Sequence, residues 1–358
     1  MPDAHQSALS RICIVYTGGT MGSKPSANDL LEPAPLDDLK EKVWELASAG
    51  SWPADLSFCP IDGSLIDSAS ATPHDWLRAR EVLKREWPNF EGFVVIHGTD
   101  TMPYLAAFLS FAIEHQDKPV VVTGSMKPIF QDGDAATNLA ASVRAAAAKS
   151  IDGGLLDQVL ICFGGRILRG NRATKIGSGE AAIDTPRVSD LGYFDIDGKF
   201  CGMLSWRPGQ PRRVVSTGKH VRFLKVENSR VALVRLFPGI SSETVKAMLA
   251  DCSGAVIEAY GSGTGPKELR ACLEELADNG MFIVVTTEVV WGGVEVGTYA
   301  TDLVRTDGPL ISGGRLLAET ALAKLYYLLG IADRSRNTWR KWVKDEMQKS
   351  IRGDAGEF

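Results

Sequence analysis

No apolar run in this chain is long enough to span a bilayer. The longest, residues 104–113, covers ten residues, against the roughly 20 that a transmembrane helix needs. The residues ahead of the first strand-like run at 12–16 are mostly polar or small and lack the apolar core of a signal peptide. No membrane partner is expected. An excess of basic residues is missing as well: 39 Lys and Arg stand against 44 Asp and Glu, a net charge of −5. A nucleic-acid-binding face normally makes a domain basic, so nucleic acid is not expected and small molecules are. The six cysteines, Cys13, Cys59, Cys162, Cys201, Cys252 and Cys272, stand singly with no C-x-x-C pair, which removes zinc and dithiol redox motifs. Scattered thiols of this kind suit a reducing cytoplasm.

What is present reads as a globular protein. The chain has 358 residues, 44% hydrophobic and 23% charged, enough for two domains or a third at roughly 150 residues each. Near-continuous apolar runs at 12–16, 93–97, 120–123 and 159–163 are each followed closely by Gly or Thr. Helical patterns separate them. Thr72-Pro73 opens one through about Glu86, Pro103 opens 104–114, and an Ala-rich stretch covers 138–149. Fully apolar strands between helices predict a mostly parallel sheet covered on both faces.

The pattern breaks at 192–226, which reads as a long linker with one hairpin. Alternation resumes with strands at 231–236, 255–260 and 282–286 and helices at 242–249 and 267–279. Helical patterns at 316–329 and 337–351 close the chain, the last with Trp339, Val343 and Met347 at spacing four. The fold class expected is α/β in two domains. A larger N-terminal sheet domain at 1–191 is followed by the linker at 192–226 and a smaller parallel α/β domain at 227–358.

Ligands in open α/β sheets bind beyond the carboxyl ends of the strands. The exits carry Thr17-Gly18-Gly19-Thr20, His97-Gly98-Thr99-Asp100-Thr101, Thr123-Gly124-Ser125 and Gly164-Gly165-Arg166. Glycines such as Gly19 and Gly98 let backbone N–H groups approach a ligand closely, and neighbouring hydroxyls can supply a nucleophile beside an oxyanion hole. A phosphate-binding loop fails on counting, because Gly18 and Gly22 have three residues between them rather than four and Ser23 precedes Lys24. The dinucleotide fingerprint is absent from these exits too, and Gly261–Gly265 is merely glycine-rich.

The blocks YTGGTMG at 16–22 and HGTDTM at 97–102 stand with KPVVVTGS at 118–125, Asp134 with Asn138-Leu139, and RGNRATK at 169–175. Pro238-Gly239-Ile240 and LAKLYYLL at 322–329 follow in order. Together they resemble the signatures of the bacterial L-asparaginase/glutaminase family, closest to its cytoplasmic type I branch. The resemblance implies hydrolysis of the L-asparagine side-chain amide to aspartate and ammonia through a threonine acyl-enzyme. It implies no metal or organic cofactor, and a homodimer or homotetramer. Thr20 matches the family's nucleophile, and Thr99, Asp100 and Lys175 match its Thr–Asp–Lys triad. Ser68 matches a serine holding the substrate α-carboxylate, and Asp100 also matches the α-amino contact. His97 reads instead as a structural group at a strand end, and Arg169 and Arg172 as residues that tie loops together. Thr99 and Asp100 are also placed to cap the helix at Pro103.

Three positions depart from the family pattern. Residues 23–35, read as a mobile lid, contain no tyrosine, and Leu30 or Leu31 falls near its place. Ala69 follows Ser68 where a polar side chain is usual, and Thr264 replaces an asparagine that reaches a neighbouring subunit's site. A leucine cannot relay a proton, so a related amidase for glutamine, a D-amino-acid amide or another small amide is an alternative. So is an amino-acid-binding regulatory protein with weakened turnover. The amide-hydrolysing subunit of a tRNA-dependent amidotransferase shares the motifs but would usually carry an extra domain ahead of the first strand.

Overall fold

The computed structural model describes residues 9–148, 156–185, 190–195, 199–202 and 220–354. The first half of the chain contributes β1 (Ser10–Tyr16), β2 (Ser23–Pro25), β3 (Leu31–Pro33), β4 (Ala54–Pro60), β5 (Gly92–Ile96), β6 (Val120–Thr123) and β7 (Val159–Phe163). Next come β8 (Arg166–Arg169), β9 (Thr174–Lys175), β10 (Ile183–Asp184), β11 (Asp190–Phe194) and β12 (Phe200–Gly202). Helices α1 (Leu36–Ala49), α2 (Pro73–Glu86), α3 (Met102–Ala112) and α4 (Asp134–Ala147) are interleaved. The second half holds β13 (Val231–Arg235), α5 (Ser242–Leu249), β14 (Gly254–Ala259), α6 (Lys267–Asp278), β15 (Phe282–Thr287), β16 (Ile311–Ser312), α7 (Ala318–Ile331) and α8 (Trp339–Gln348).

Two main sheets result, as the fold class anticipated. The larger has the order β12-β11-β8-β7-β6-β5-β1-β4 and the smaller β13-β14-β15-β16. Pairing is parallel from β4 through β7 and throughout the small sheet, then antiparallel from β7 to β12. From Ile12 to Tyr16, β1 is apolar at every position because both of its faces are buried. Ile12, Ile14 and Tyr16 pack into one core with Leu39 and Val43 of α1 and Leu139 and Val143 of α4. Cys13 and Val15 enter the opposite core with α2, α3 and α7. A strand buried on both faces cannot alternate with polar residues.

That second core joins the sheets. Val256 and Val284 of the small sheet share it with Phe93 and Val95 of the large one, and Phe111 of α3 stacks on Tyr327 of α7 at 6.2 Å. In α8, Val343 and Met347 are buried, and Trp339 lies 5.5 Å from the Phe282 ring. Trp342, beside them in sequence, is 37% exposed.

Several elements differ from their sequence expectation. β4 went unread because ADLSFCP mixes polar and apolar residues; it lies at the sheet edge, half-buried, and its partner β1 decides its conformation. Helix α4 starts four residues before the expected Asn138, after Gly133. Its first residue, Asp134, accepts bonds from Met126 N and Lys127 N, an anchor that periodicity cannot report. The hairpin expected in the stretch at 192–226 is β11–β12, but it starts two residues earlier, at Asp190, and joins the edge of the large sheet; residues 203–219 of that stretch lie outside the described residues. No described helix is long and apolar enough to cross a membrane.

Candidate active site

The strand order sets the exits of β4, β1 and β5 side by side. Thr17 N donates to Ile96 O at 3.1 Å, and Ile66 N to Thr17 O at 2.8 Å. Three loops then meet backbone to backbone. Gly19 has φ +93°, and a Cβ there would sit 2.5 Å from Gly98 N and 2.6 Å from Gly98 Cα. A Cβ on Gly98 would collide in turn with the Ser68 side chain. Only glycine permits this approach. It brings Gly19, Gly98 and Ser68 into one cradle, with Thr20 and Thr99 each one residue beyond a touching glycine.

Thr20 opens a single 3₁₀ turn, Thr20–Gly22. Tyr16 Oη donates to Gly22 O beneath it at 3.2 Å, and Ile129 N donates to Met21 O at 2.9 Å. The Thr20 side chain is half-buried, and its hydroxyl meets no partner among the described residues. Ser68 starts a second such turn, 4% exposed, ahead of which Asp67 Oδ1 accepts from Ala69 N at 3.0 Å.

Thr99, Asp100 and Lys175 converge although 75 residues separate the last two. Lys175 Nζ donates to Thr99 Oγ1 at 2.9 Å and to Asp100 Oδ1 at 2.5 Å. Lys175 lies on β9, which pairs with β10, and its side chain is 24% exposed against 55% for Asp100. Thr99 also points its hydroxyl at Met126 Sδ, 3.9 Å away. Neither Thr99 nor Asp100 caps α3: Thr101 occupies the N-cap position, without a side-chain cap bond. The helix starts one residue too late for Asp100 to be its N-cap, and Thr101 gives its hydroxyl to Ser68 O at 2.9 Å instead.

His97 is enclosed between Thr17 Oγ1 (2.7 Å from Nδ1) and Thr101 Oγ1 (3.1 Å from Nε2). Burial pushes its pKa down to about 4, so the ring is neutral near pH 7. Thr17 spends its hydrogen on Ile96 O at 2.8 Å. Thr101 likewise spends its hydrogen on Ser68 O at 2.9 Å, so both hydroxyls face the ring as acceptors and its single neutral N–H serves one of them at a time. Arg172 donates to Asp354 O at 2.9 Å and Arg169 to Gln158 Oε1 at 3.2 Å, both ties between segments. Thr264 lies in the turn after β14, its hydroxyl on Tyr260 O at 3.4 Å.

Residues 23–35 form the β2–β3 hairpin. Leu30 and Leu31 are 66% and 48% exposed, and Ala69 is exposed as well. Two neighbours of the cluster were not anticipated. Met126 touches Thr99, and Glu319, whose carboxyl burial pushes its pKa up, accepts from Thr174 Oγ1 at 2.6 Å, one residue from Lys175. Glu319, the one acidic residue of the mostly apolar α7, was the available signal.

The arrangement offers a half-buried free hydroxyl, backbone N–H groups from close-packed glycine turns, and an ammonium bridging a hydroxyl and a carboxylate. Such a set can activate a nucleophile, stabilise an oxyanion and move protons. Among known families, the Asparaginase N-terminal model matches residues 11–201. The Glutaminase/Asparaginase C-terminal domain model matches residues 230–342. L-asparaginase 1 of Escherichia coli (strain K12) is 30% identical over 350 residues, covering 96% of this chain and 97% of that protein. The structure of L-asparaginase I from Vibrio cholerae superposes with TM-score 0.80 at 29% identity, covering 97% of this chain and 99% of its own. The L-asparaginase from Thermococcus kodakarensis reaches TM-score 0.80 at 26% identity, covering 97% and 100%. Read with the glycine cradle and the converging Thr99, Asp100 and Lys175, these matches make the chain a member of the asparaginase family.

Proposed function

We propose that this chain hydrolyses the side-chain amide of L-asparagine, with Thr20 as nucleophile. The observation that carries the reading is the Lys175 ammonium held on both Thr99 Oγ1 and Asp100, with the loops of Thr20, Thr99 and Ser68 in contact through Gly19 and Gly98. In the first step the Thr20 oxygen bonds to the amide carbon. Its proton passes through the Thr99–Lys175 pair to the leaving nitrogen, and ammonia departs. Water then attacks the acyl-enzyme, giving aspartate and returning the proton to Thr20. Backbone N–H groups of the glycine turns stabilise the oxyanion of both steps. Ser68 and Asp100 hold the α-carboxylate and α-amino groups. With its ammonium fixed between Asp100 and Thr99, Lys175 takes an electrostatic and relaying role rather than that of a free base.

Intact mass spectrometry after mixing with an electrophilic asparagine analogue tests the assignment. One adduct on the parent chain and none on Thr20→Ala is expected, with ammonia release lowered about 10⁴-fold. Normal ammonia release by Thr20→Ala would refute the nucleophile.

A second reading is favoured by Leu30, Leu31 and Ala69, all exposed and none able to hydrogen-bond through its side chain. It keeps the chemistry and shifts the substrate toward a larger or less polar amide, and an ammonia assay across glutamine, D-asparagine and simple amides separates the two. We place the enzyme in the cytoplasm, in keeping with six free thiols. We also infer a homo-oligomer, supported by the exposed Phe237, Val289, Trp291, Val296 and Tyr299 on the second domain, each at least 40% accessible. Light scattering giving a monomer mass would overturn that assembly.

A further inference from the structure

Lys175 is held from in front by Thr99 and Asp100, and its loop is held from behind by the other half of the chain. Thr174 Oγ1 donates to Glu319 and Thr320 Oγ1 donates to Asn171 O at 2.8 Å, both partners on α7. Asn171 Nδ2 donates to Arg352 O at 3.0 Å and Arg172 Nη1 to Asp354 O at 2.9 Å. Asn171 and Arg172 are buried, so these bonds cannot be exchanged for water without exposing the loop.

The segment that receives those bonds, residues 349–354, is pinned by one buried ion pair. Lys324 Nζ of α7 lies 2.7 Å from Asp354 Oδ2, with side chains 1% and 0% exposed. The same ammonium donates to Met347 O at 3.1 Å and Lys349 O at 2.5 Å. All three of its hydrogens are thereby used, two of them on carbonyls at the C-terminal end of α8. Asp354 Oδ1 accepts from Arg352 N at 2.8 Å, which orients the Arg352 carbonyl region toward Asn171. The segment lies beyond the residues matched by either family model.

We propose that the Lys324–Asp354 pair is a latch that positions Lys175, acting through residues 349–354 and the loop 169–174. Lys324, Asp354 and Asn171 are positioning residues that touch no substrate. The inference rests on Lys175 serving the chemistry proposed above. A proton relay depends on sub-ångström placement, and β9 supplies only a two-residue strand to hold Lys175. The pairing of β9 with β10 and the bonds to α7 and residues 349–354 together supply the rigidity.

The test uses the full chain and ammonia release from L-asparagine, with kcat and KM separated. Lys324→Met combined with Asp354→Leu removes both charges without stranding either one. Asn171→Ala cuts only the link between loop and segment. The expected result is kcat lowered about tenfold in the first and about threefold in the second, with KM within about twofold of the parent, the signature of a displaced proton-handling group. Asp354→Glu, which keeps the charge, is expected to retain most of the parent kcat. Parent-like kcat in the first two variants overturns the latch, as does a change in KM alone, or an Asp354→Glu chain as slow as the double variant. If the double variant does not fold, Asn171→Ala decides by the same criterion. A parent chain releasing no ammonia from any amide refutes the functional reading itself. A parent that is active and depends on Thr20, with latch variants unchanged, refutes only the latch.

Discussion

Two segments flank the site, and the chain fastens them in opposite ways. The hairpin that follows Thr20 is held from outside. Its Lys24–Asp38 pair is 2.7 Å long, with side chains 39% and 42% exposed, and the same ammonium sits 4.3 Å from the Phe130 ring. The loop leading to Lys175 is held from inside, by bonds to α7 and to residues 349–354 from side chains that are mostly buried. Exposed ion pairs contribute little and tolerate exchange, whereas each buried polar group must keep its partner or lose free energy. Two of the three departures from the family pattern, at Leu30 or Leu31 and at Ala69, fall on exposed residues, while the third, Thr264, is half-buried. Under the proposed mechanism, specificity can drift where the fold does not depend on the side chain, whereas the placement of the ammonium cannot.

The largest effect should come from the inner segment. Lys175→Met is expected to lower kcat about 10³-fold while the far-ultraviolet circular dichroism stays that of the parent. A kcat within tenfold of the parent would break the contrast, because the tightly held loop would then be holding nothing the chemistry needs.

His97 offers an intermediate case, buried but outside the proposed relay. Its pKa is lowered from 6.5 to about 4 by burial, so the unfolded chain takes up the proton first as pH falls. The contribution of its neutral form is full above about pH 6.5 and is lost as pH drops toward 4, up to about 3 kcal/mol. Denaturant titrations across that window should flatten in His97→Gln. An identical pH slope in the variant would show that other groups govern it.

The smallest effect belongs to the hairpin. Lys24→Met should cost less than about 1 kcal/mol in unfolding free energy, as for other exposed pairs. A loss above about 2 kcal/mol by the same titration would mean that the hairpin is anchored as firmly as the loop.

Much of this was legible in the residues. The apolar runs of β1, β5, β6 and β7 announced strands buried on both faces, since a run such as Ile12 to Tyr16 has no polar side to turn outward. The Gly-Thr exits announced themselves too, because a turn that must approach another backbone excludes every Cβ. Strand β4 was not legible, as an edge strand draws its conformation from its neighbour. Nor was the early start of α4, which depends on amides of the loop at Met126 and Lys127.

Local pattern and motif order were thus enough to determine the α/β class and to single out Thr20, Thr99, Asp100, Lys175 and Ser68. Each of those readings depends on near neighbours in the chain or on a short motif. Only the folded chain decided that Lys175 faces Thr99 rather than solvent, that Thr99 and Asp100 leave the helix uncapped, and that Lys324 and Asp354 bury their charges on each other. Those outcomes turn on whether a polar group reaches a partner tens of residues away before water claims it. Spacing along a sequence carries no record of that distance.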